Sequence, residues 1–325
     1  MNEVKIRIIS KSEELPVFSC HNFFHSIELF QILERTQAHT PYMTIVERAN
    51  GTIGAHMLAL VRRRGALMPP YFFSQGRIYG EGEYENETEK EVFFDKMLTA
   101  ITQKFKKKLC LYIEFSDVSK KMFGYRIFRQ NNYFPVPWQE VKNSLHSTKP
   151  EDRLSEKTKR RIENSYNSGV TTREINGKSE LHDFYILLHK FYKFKFRRFL
   201  PPEKFITEIE AMEKGKIFVT IYNNKIIGGC TCVYSGGSAY LWHLASKRKS
   251  YLHLHPMMMT VWQAIKYAYE NNYAHISFID VGLPFRKNMY REFILSFGGK
   301  PIAKYRWFKF SFPWINNILS WIYRE

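Results

Sequence analysis

The residues best suited to chemistry lie in Asp280-Val281-Gly282-Leu283-Pro284-Phe285-Arg286 and its continuation Met289-Tyr290-Arg291-Glu292-Phe293. The preceding His275-Ile276-Ser277-Phe278-Ile279 reads as a buried strand, so Asp280 is expected at a strand end before a glycine turn. Open α/β sheets commonly build their sites there. Arg286 and Arg291 are close enough in sequence to converge there. A second group is cationic. Lys157, Arg160 and Arg161 fall three and four residues apart in a helical stretch expected over 151–167, which ends at Gly169. One helix face can therefore offer several cations to a phosphate. The run Lys190 to Arg198 alternates cations with Phe191, Tyr192, Phe194 and Phe196, where rings in the core and charges at the surface are the expectation.

Other chemistries lack their motifs. There is no GxxxxGK[ST], no GxGxxG after a strand, no HExxH, no paired CxxC and no GxSxG elbow. His253 and His255 lack a clear third ligand, so no metal is expected. Cys20, Cys110, Cys230 and Cys232 are too few and too scattered for a disulfide framework, and Cys230 and Cys232 read as buried thiols on one face of a strand. The start Met1-Asn2-Glu3-Val4-Lys5 has no apolar core, and no eighteen-residue apolar stretch follows, so a cytoplasmic location is expected. The net charge of +18, from 49 Lys and Arg against 31 Asp and Glu, favours an anionic partner: nucleic acid, a phosphorylated molecule or anionic lipid. Near the C-terminus, Trp314, Ile318 and Trp321 or Ile322 share a helical face flanked by Lys309 and Arg324. Such a segment either docks on its own domain or lies in a membrane interface.

The elements that must position these groups repeat. Tyr42 to Glu47, a turn at Ala49-Asn50-Gly51 and an apolar run from Thr52 to Val61 read as a hairpin, and so do Ile217 to Tyr222, Asn223-Asn224 and Lys225 to Tyr234. Each is followed by a helix and a buried strand. Helix 88–105, with Val92, Phe93, Met97 and Ile101 on one face, leads into Leu109 to Phe115; helix 257–270, opened by Pro256, leads into His275 to Asp280. The chain of 325 residues is therefore expected to be a duplicated α/β (α+β) protein with domains at 1–148 and 149–325, divided after Pro135-Val136-Pro137-Trp138 and the polar stretch that follows.

The second half resembles the Fem family of peptidoglycan bridge-forming aminoacyltransferases and related domains of the GNAT acyltransferase fold. The resemblance rests on the order of Lys159-Arg160-Arg161 and Asn167-Ser168-Gly169-Val170, Ile227-Gly228-Gly229, Tyr240-Leu241-Trp242, Tyr251, Pro256, Phe278-Ile279-Asp280-Val281-Gly282, and Phe293 before Phe297-Gly298-Gly299. Pro135-Val136-Pro137-Trp138 resembles the segment closing the first domain of that family. The resemblance implies two tandem GNAT-like domains, each with a mixed, mostly antiparallel sheet flanked by helices, and a site in the second domain or the cleft between the two. It implies transfer of an aminoacyl or other acyl group to an amine of a peptidoglycan or surface-glycan precursor. Two alternatives stay open: an acyl-CoA-dependent N-acyltransferase acting on a nucleotide sugar or glycan, and a non-catalytic relative that binds anions or nucleic acid.

On this resemblance Asp280 orients or deprotonates the amine, Arg291 stabilises the oxyanion and Tyr290 stands beside them. Arg248, Lys249 and Tyr251 contact the donor, while Lys157, Arg160, Arg161, Trp242, His243 and Arg286 contact the acceptor. No tightly bound cofactor is implied; the donor substrate is an aminoacyl-tRNA or an acyl-CoA. The partners implied are a phosphorylated envelope precursor or nucleotide sugar, tRNA, and a membrane surface met by the C-terminal aromatic segment. The sequence departs from the pattern twice. The segment 248–253 has no glycine where acyl-CoA-binding relatives place spaced glycines, and Ile294 stands where many Fem-like sequences carry lysine.

Overall fold

A computed structural model of the protein describes residues 4–64, 73–117, 123–193, 200–247, 249–279 and 281–323. Asp280, Arg248, the 194–199 part of the basic-aromatic run and Arg324 lie outside the described residues. The chain forms two compact units, one of residues 1–138 with 304–325 and one of residues 139–303.

In the first unit the order is β1 (Val4–Ile9), α1 (Ile27–Arg35), β2 (His39–Arg48), β3 (Ile53–Arg64), β4 (Phe73–Ile78), β5 (Glu83–Tyr84), α2 (Lys90–Lys107), β6 (Cys110–Phe115), α3 (Tyr125–Gln130) and the start of β7 (Phe134–Ser144). Strands β1 to β4 pair antiparallel in sequence, and β6 then pairs parallel to β4 because α2 carries the chain back along the sheet. One face of this sheet buries Phe93, Phe94, Met97, Leu98, Ile101 and Phe105 of α2. Val92, expected on that face, is exposed, and Phe94 and Phe105 take its place. Gly76 of β4 lets α2 close down, since a Cβ there would overlap the Phe105 ring.

The second unit repeats the plan. After the last part of β7 come α4 (Glu156–Asn167), β8 (Thr171–Glu174), α5 (Gly177–Tyr192), α6 (Glu203–Glu210), β9 (Gly215–Tyr222), β10 (Lys225–Ser235), β11 (Ser238–Ser246), α7 (Pro256–Glu270), β12 (His275–Phe278) and α8 (Met289–Leu295), and then β13 (Lys300–Phe310) begins. Strands β8 to β11 pair antiparallel, α7 crosses, and β12 pairs parallel to β11. Asn223 and Asn224 both take positive φ in the β9–β10 turn, as a two-residue hairpin requires. Gly228 and Gly229 serve opposite faces. A Cβ on Gly228 would meet Thr260 and the Pro256 carbonyl of α7, and one on Gly229 would meet Phe184 of α5.

Each unit also holds a strand segment from the far side of the expected chain division. Within the second unit, residues 141–144 of β7 pair antiparallel with β12, and within the first, residues 307–310 of β13 pair antiparallel with β6. The expected cut at 148 separates neither strand. The chain instead changes unit at Trp138 and again at Ala303, so residues 304–325, including α9 (Pro313–Ile322), go with the first unit rather than with 149–303. Pro135-Val136-Pro137-Trp138 does end the first unit's share of β7.

Candidate functional site

Three features of the second unit meet around the start of α7. The first is the helix end itself. His255 precedes the helix with φ 44°, Pro256 opens it, and no side chain caps it. The first intrahelical bond runs from Met259 N–H to His255 O at 3.1 Å, so the amides of Met257 and Met258 have no partner within the helix. The second feature is charge. The connection from β11 carries Lys247, Lys249 and His253, all exposed, and α4 lies against both α7 and the turn Leu252–Leu254. Burial, then the positive charge of Arg161 on α4, then His253 hold the His255 imidazole below its ordinary pKa. An uncapped helix start with cations on the connection before it and on the neighbouring α4 is suited to an anion.

The third feature is a strand edge. The parallel pairing of β11 with β12 stops at Leu241↔Phe278, while β11 continues to Ser246, so one edge of residues 242–246 has no partner strand among the described residues. Opposite it, the β10 register steps from Thr231↔His243 to Cys232↔Leu241, which makes Trp242 the extra residue of a bulge. Trp242 packs edge-on to Phe205 of α6, 5.6 Å between centroids, and stacks on His243. His243 is buried; its Nδ1 and the Thr231 hydroxyl are 2.9 Å apart, and its backbone N–H donates to the same oxygen at 3.1 Å. Tyr192 of α5 donates to Leu244 O. Both residues are thus held on the sheet face covered by α5 and α6, while Leu241 and Leu244 enter the core beneath α7.

Beyond β12 a loop of residues 281–288 is fastened at both ends. The Asn288 side chain accepts from Tyr290 N–H (2.9 Å) and Arg291 N–H (3.3 Å), capping α8, and donates to Val281 O at 2.6 Å. Gly282, at φ 95°, leaves no room for a Cβ against Asn288. Arg291 grips the same loop, Nη1 donating to Leu283 O at 2.8 Å and Nη2 to Arg286 O at 2.8 Å and Pro284 O at 3.4 Å. The expected oxyanion donor therefore spends its guanidinium on loop carbonyls. Arg286 is exposed, and Tyr290 lies half-buried against Phe293 and the core. Ile294 is wholly buried in the core cluster. A lysine at that register would point its ammonium into apolar packing, so this position offers no route to a solvent-facing cation.

Among the expected contacts, Lys249 and Tyr251 lie in the connection leading to α7, Lys249 exposed and Tyr251 edge-on to Tyr222 at 6.1 Å, and Arg161 is near enough to act on His255. Lys157 and Arg160 lie exposed on α4, whose buried side is Thr158, Ile162 and Ser165. Lys157, Arg160 and Arg161 have no ion-pair partner within 4 Å among the described residues, unlike Lys159, which reaches Glu156 at 3.0 Å. Asn288, Thr231 and Tyr192 had no part in the sequence-based site. An asparagine just before a helical stretch is a capping signal that could have found Asn288. In the first unit, Cys20, His56 and Glu83 bring a thiol, an imidazole and a carboxylate within 4.8 Å of one another, a set able to ligate a metal. As they stand, Glu83 also accepts from His21 N–H, and Cys20 donates to Asn22 O.

Residues 157–303 match the family model described as acetyltransferase (GNAT) domain. No characterised protein matches the chain in sequence. Among solved structures, the crystal structure of FemX is similar over 94% of this chain and 95% of its own, with 10% identity and a TM-score of 0.60. A tandem GNAT protein from the clavulanic acid biosynthesis pathway is similar over 96% and 99%, with 8% identity and a TM-score of 0.61. The L-PGS structure from Bacillus licheniformis is similar over 90% and 92%, with 12% identity and a TM-score of 0.58. At these identities the likeness is one of fold, and the fold is the tandem GNAT arrangement.

Proposed function

Because residues 157–303 form a GNAT acetyltransferase domain in a chain of tandem GNAT fold, we propose that this protein is an N-acyltransferase whose acceptor is an amine on a phosphorylated cell-envelope precursor. One observation carries the reading: the uncapped start of α7, free of acids in its first turn, follows in sequence the strand end at which β11 loses its partner. The helix amides, Lys249 and Arg161 suit a phosphate, and an exposed strand edge suits an extended chain of amides. An acyl-CoA has both parts, a pyrophosphate and an arm with two amides joined to the thioester. This makes acyl-CoA the favoured donor. The missing glycines are then less of an obstacle, since Pro256 and His255 leave the amides open without them.

The amine nitrogen attacks the acyl carbonyl, the tetrahedral oxyanion collapses, and the thiolate leaves as the amine gives up a proton. Orientation along the strand edge and N–H donors near the carbonyl supply most of what the step needs. Asp280, between the buried strand β12 and the loop fastened by Asn288 and Arg291, is the proposed proton acceptor. Arg291 then acts as a positioning residue that sets the loop, and Arg286 is the cation left for acceptor phosphate. The likeness to FemX is the support for an envelope acceptor.

The test compares thermal stabilisation and turnover with acetyl-CoA and with charged tRNA, using a nucleotide-linked muramyl peptide and an amino sugar nucleotide as acceptors. Stabilisation by CoA, weakened about tenfold in affinity by Arg161→Glu with Lys249→Glu, is expected; tenfold corresponds to about 1.4 kcal/mol. Turnover from charged tRNA with no response to CoA would replace the donor. Neither binding nor turnover with any of them would refute the enzyme reading.

A further inference from the structure

Helix α9 docks through a side that includes a buried asparagine and turns large apolar residues outward. Its inner side holds Asn316, whose Oδ1 accepts from Phe310 N–H at 2.9 Å and whose Nδ2 donates to Asn132 O at 3.1 Å, and the helix is followed by Tyr323, stacked on Phe134. Its outer side carries Trp314, Ile318, Trp321 and Ile322, with exposed Asn317 among them; Trp314 is 65% and Trp321 74% exposed. Apolar exposure of this kind is costly in water, and a contiguous patch marks an interaction surface. Phe312 and Leu109, the latter 86% exposed, extend it. They are brought together because Ser311 N–H donates to Leu111 O and the Ser311 hydroxyl to Cys110 O.

The charge around this patch has one sign. Lys106, Lys107 and Lys108, exposed at the end of α2, adjoin Leu109, and Lys106 is close enough to Lys309 to depress its pKa after burial does so. Arg126 and Arg129 lie on α3, which ends at the turn that α9 grips. Residues 104–113, 125–134 and 304–323, which build this end of the unit, contain no Asp or Glu. No described helix is long and apolar enough to cross a membrane. A helix docked by its polar side, with two tryptophans outward and lysines beside them, is built to lie in an interface.

We propose that this end of the first unit binds an anionic lipid surface, with Trp314, Ile318, Trp321 and Ile322 entering the headgroup layer and Lys106, Lys107, Lys108 and Arg126 facing the phosphates. A second copy of the chain is disfavoured as the occupant, because two such patches would oppose lysines to lysines. The surface is independent of the acyl-transfer site and does not depend on that reading.

The full chain is sedimented with vesicles of phosphatidylcholine alone and of phosphatidylcholine with phosphatidylglycerol at about seven to three. Binding to the anionic vesicles, with a blue shift of tryptophan emission, is expected. Trp314→Ser with Trp321→Ser should weaken it at least tenfold with the melting temperature unchanged, since both side chains are exposed. Lys106→Glu with Lys107→Glu should weaken it by a similar factor and reduce its salt dependence. Two results would overturn the proposal. One is binding that survives the tryptophan substitutions, which would be general attraction of a basic protein. The other is dimerisation in solution abolished by those substitutions, which would make the patch a protein interface.

Discussion

The two units place the same crossing helix against the same parallel strand pair and finish its start in opposite ways. In the first, α2 has no side-chain cap of its own either, but acids fill its start: the turn Glu87–Glu89 leading into it is capped by Asn86, which accepts from Thr88 N–H at 3.0 Å, Glu91 lies in the first turn of α2, and Lys90 pairs with buried Glu81 at 2.6 Å. In the second, α7 has no side-chain cap, no acid in its first turn, and cations around it. A helix start satisfied by its own acids has nothing left for a ligand anion, whereas one left open does. On the proposed function, the donor therefore binds at the helix start of the second unit, and the acids at the start of α2 exclude an anion from the first.

The first unit has a buried charge cluster with no counterpart among the described residues of the second. Glu114, buried on β6, pairs with Arg77 and with Arg306 (3.0 Å) and accepts from Gln75 at 2.8 Å; Arg306 lies 4.0 Å from the Trp138 ring. Burial would raise its pKa, but Arg77 and then Arg306 hold it down to about 2. The largest effect should therefore come from Glu114→Gln. Leaving two buried guanidinium groups without their shared carboxylate is expected to cost about 3–5 kcal/mol, read by denaturant unfolding. A loss below about 1 kcal/mol would mean that the cluster does not hold the first unit together.

Acid should separate the units next. Burial depresses His39 and His56 in the first unit to about 4, with Glu83 working against it for His56. Because both folded values lie below the unfolded one, the unfolded chain takes up protons first, and stability falls as pH drops from about 6.5 towards 4. The Glu114 contribution is present above the unfolded glutamate value and fades as pH falls from about 4.5 through about 2. Amide exchange at pH 5 should show β2 and β3 losing protection before β10 and β11. The reverse order would break the contrast.

A smaller effect tests the open end. In Gly228→Ala the new methyl would stand 2.5 Å from the Thr260 hydroxyl and 2.9 Å from Pro256 O. Overpacking of this kind costs about 1–3 kcal/mol, and the displacement falls on the first turn of α7. Donor affinity should fall along with stability. If stability falls and affinity does not, the helix start is not the donor site.

The repeat of elements was legible because hairpins and crossing helices leave local marks: Asn223-Asn224 for a turn, Pro256 for a helix start, period-four apolar residues for α2 and α5. The path of the chain at its ends was not. Nothing local in Trp307 or Phe308 says that β13 pairs with β6 rather than with its neighbours in sequence, since strand exchange is a property of pairing partners nearly two hundred residues apart. Likewise, Arg291 reads as a free cation in the sequence; only the fold of residues 283–286 turns three carbonyls towards it. The cationic face of α4 was readable from spacing alone, because helix geometry fixes which residues share a side.

Asn288 gives the finest discrimination between a loop that is part of the site and one that merely joins two elements. Its oxygen caps α8 and its nitrogen holds Val281, so a single side chain fixes both ends of the segment that follows Asp280. Asn288→Ser retains an oxygen able to cap but loses the nitrogen that donates to Val281 O, while Asn288→Ala loses both. The alanine variant should be less stable by about 1 kcal/mol, with the serine variant recovering most of that. If the loop orients Asp280 and Arg286 for catalysis, both variants should lose turnover to a similar extent, with donor binding intact, and amides 281–288 should exchange faster in both. Full activity in the serine variant would show that the grip of Arg291 suffices and that the latch to Val281 is dispensable.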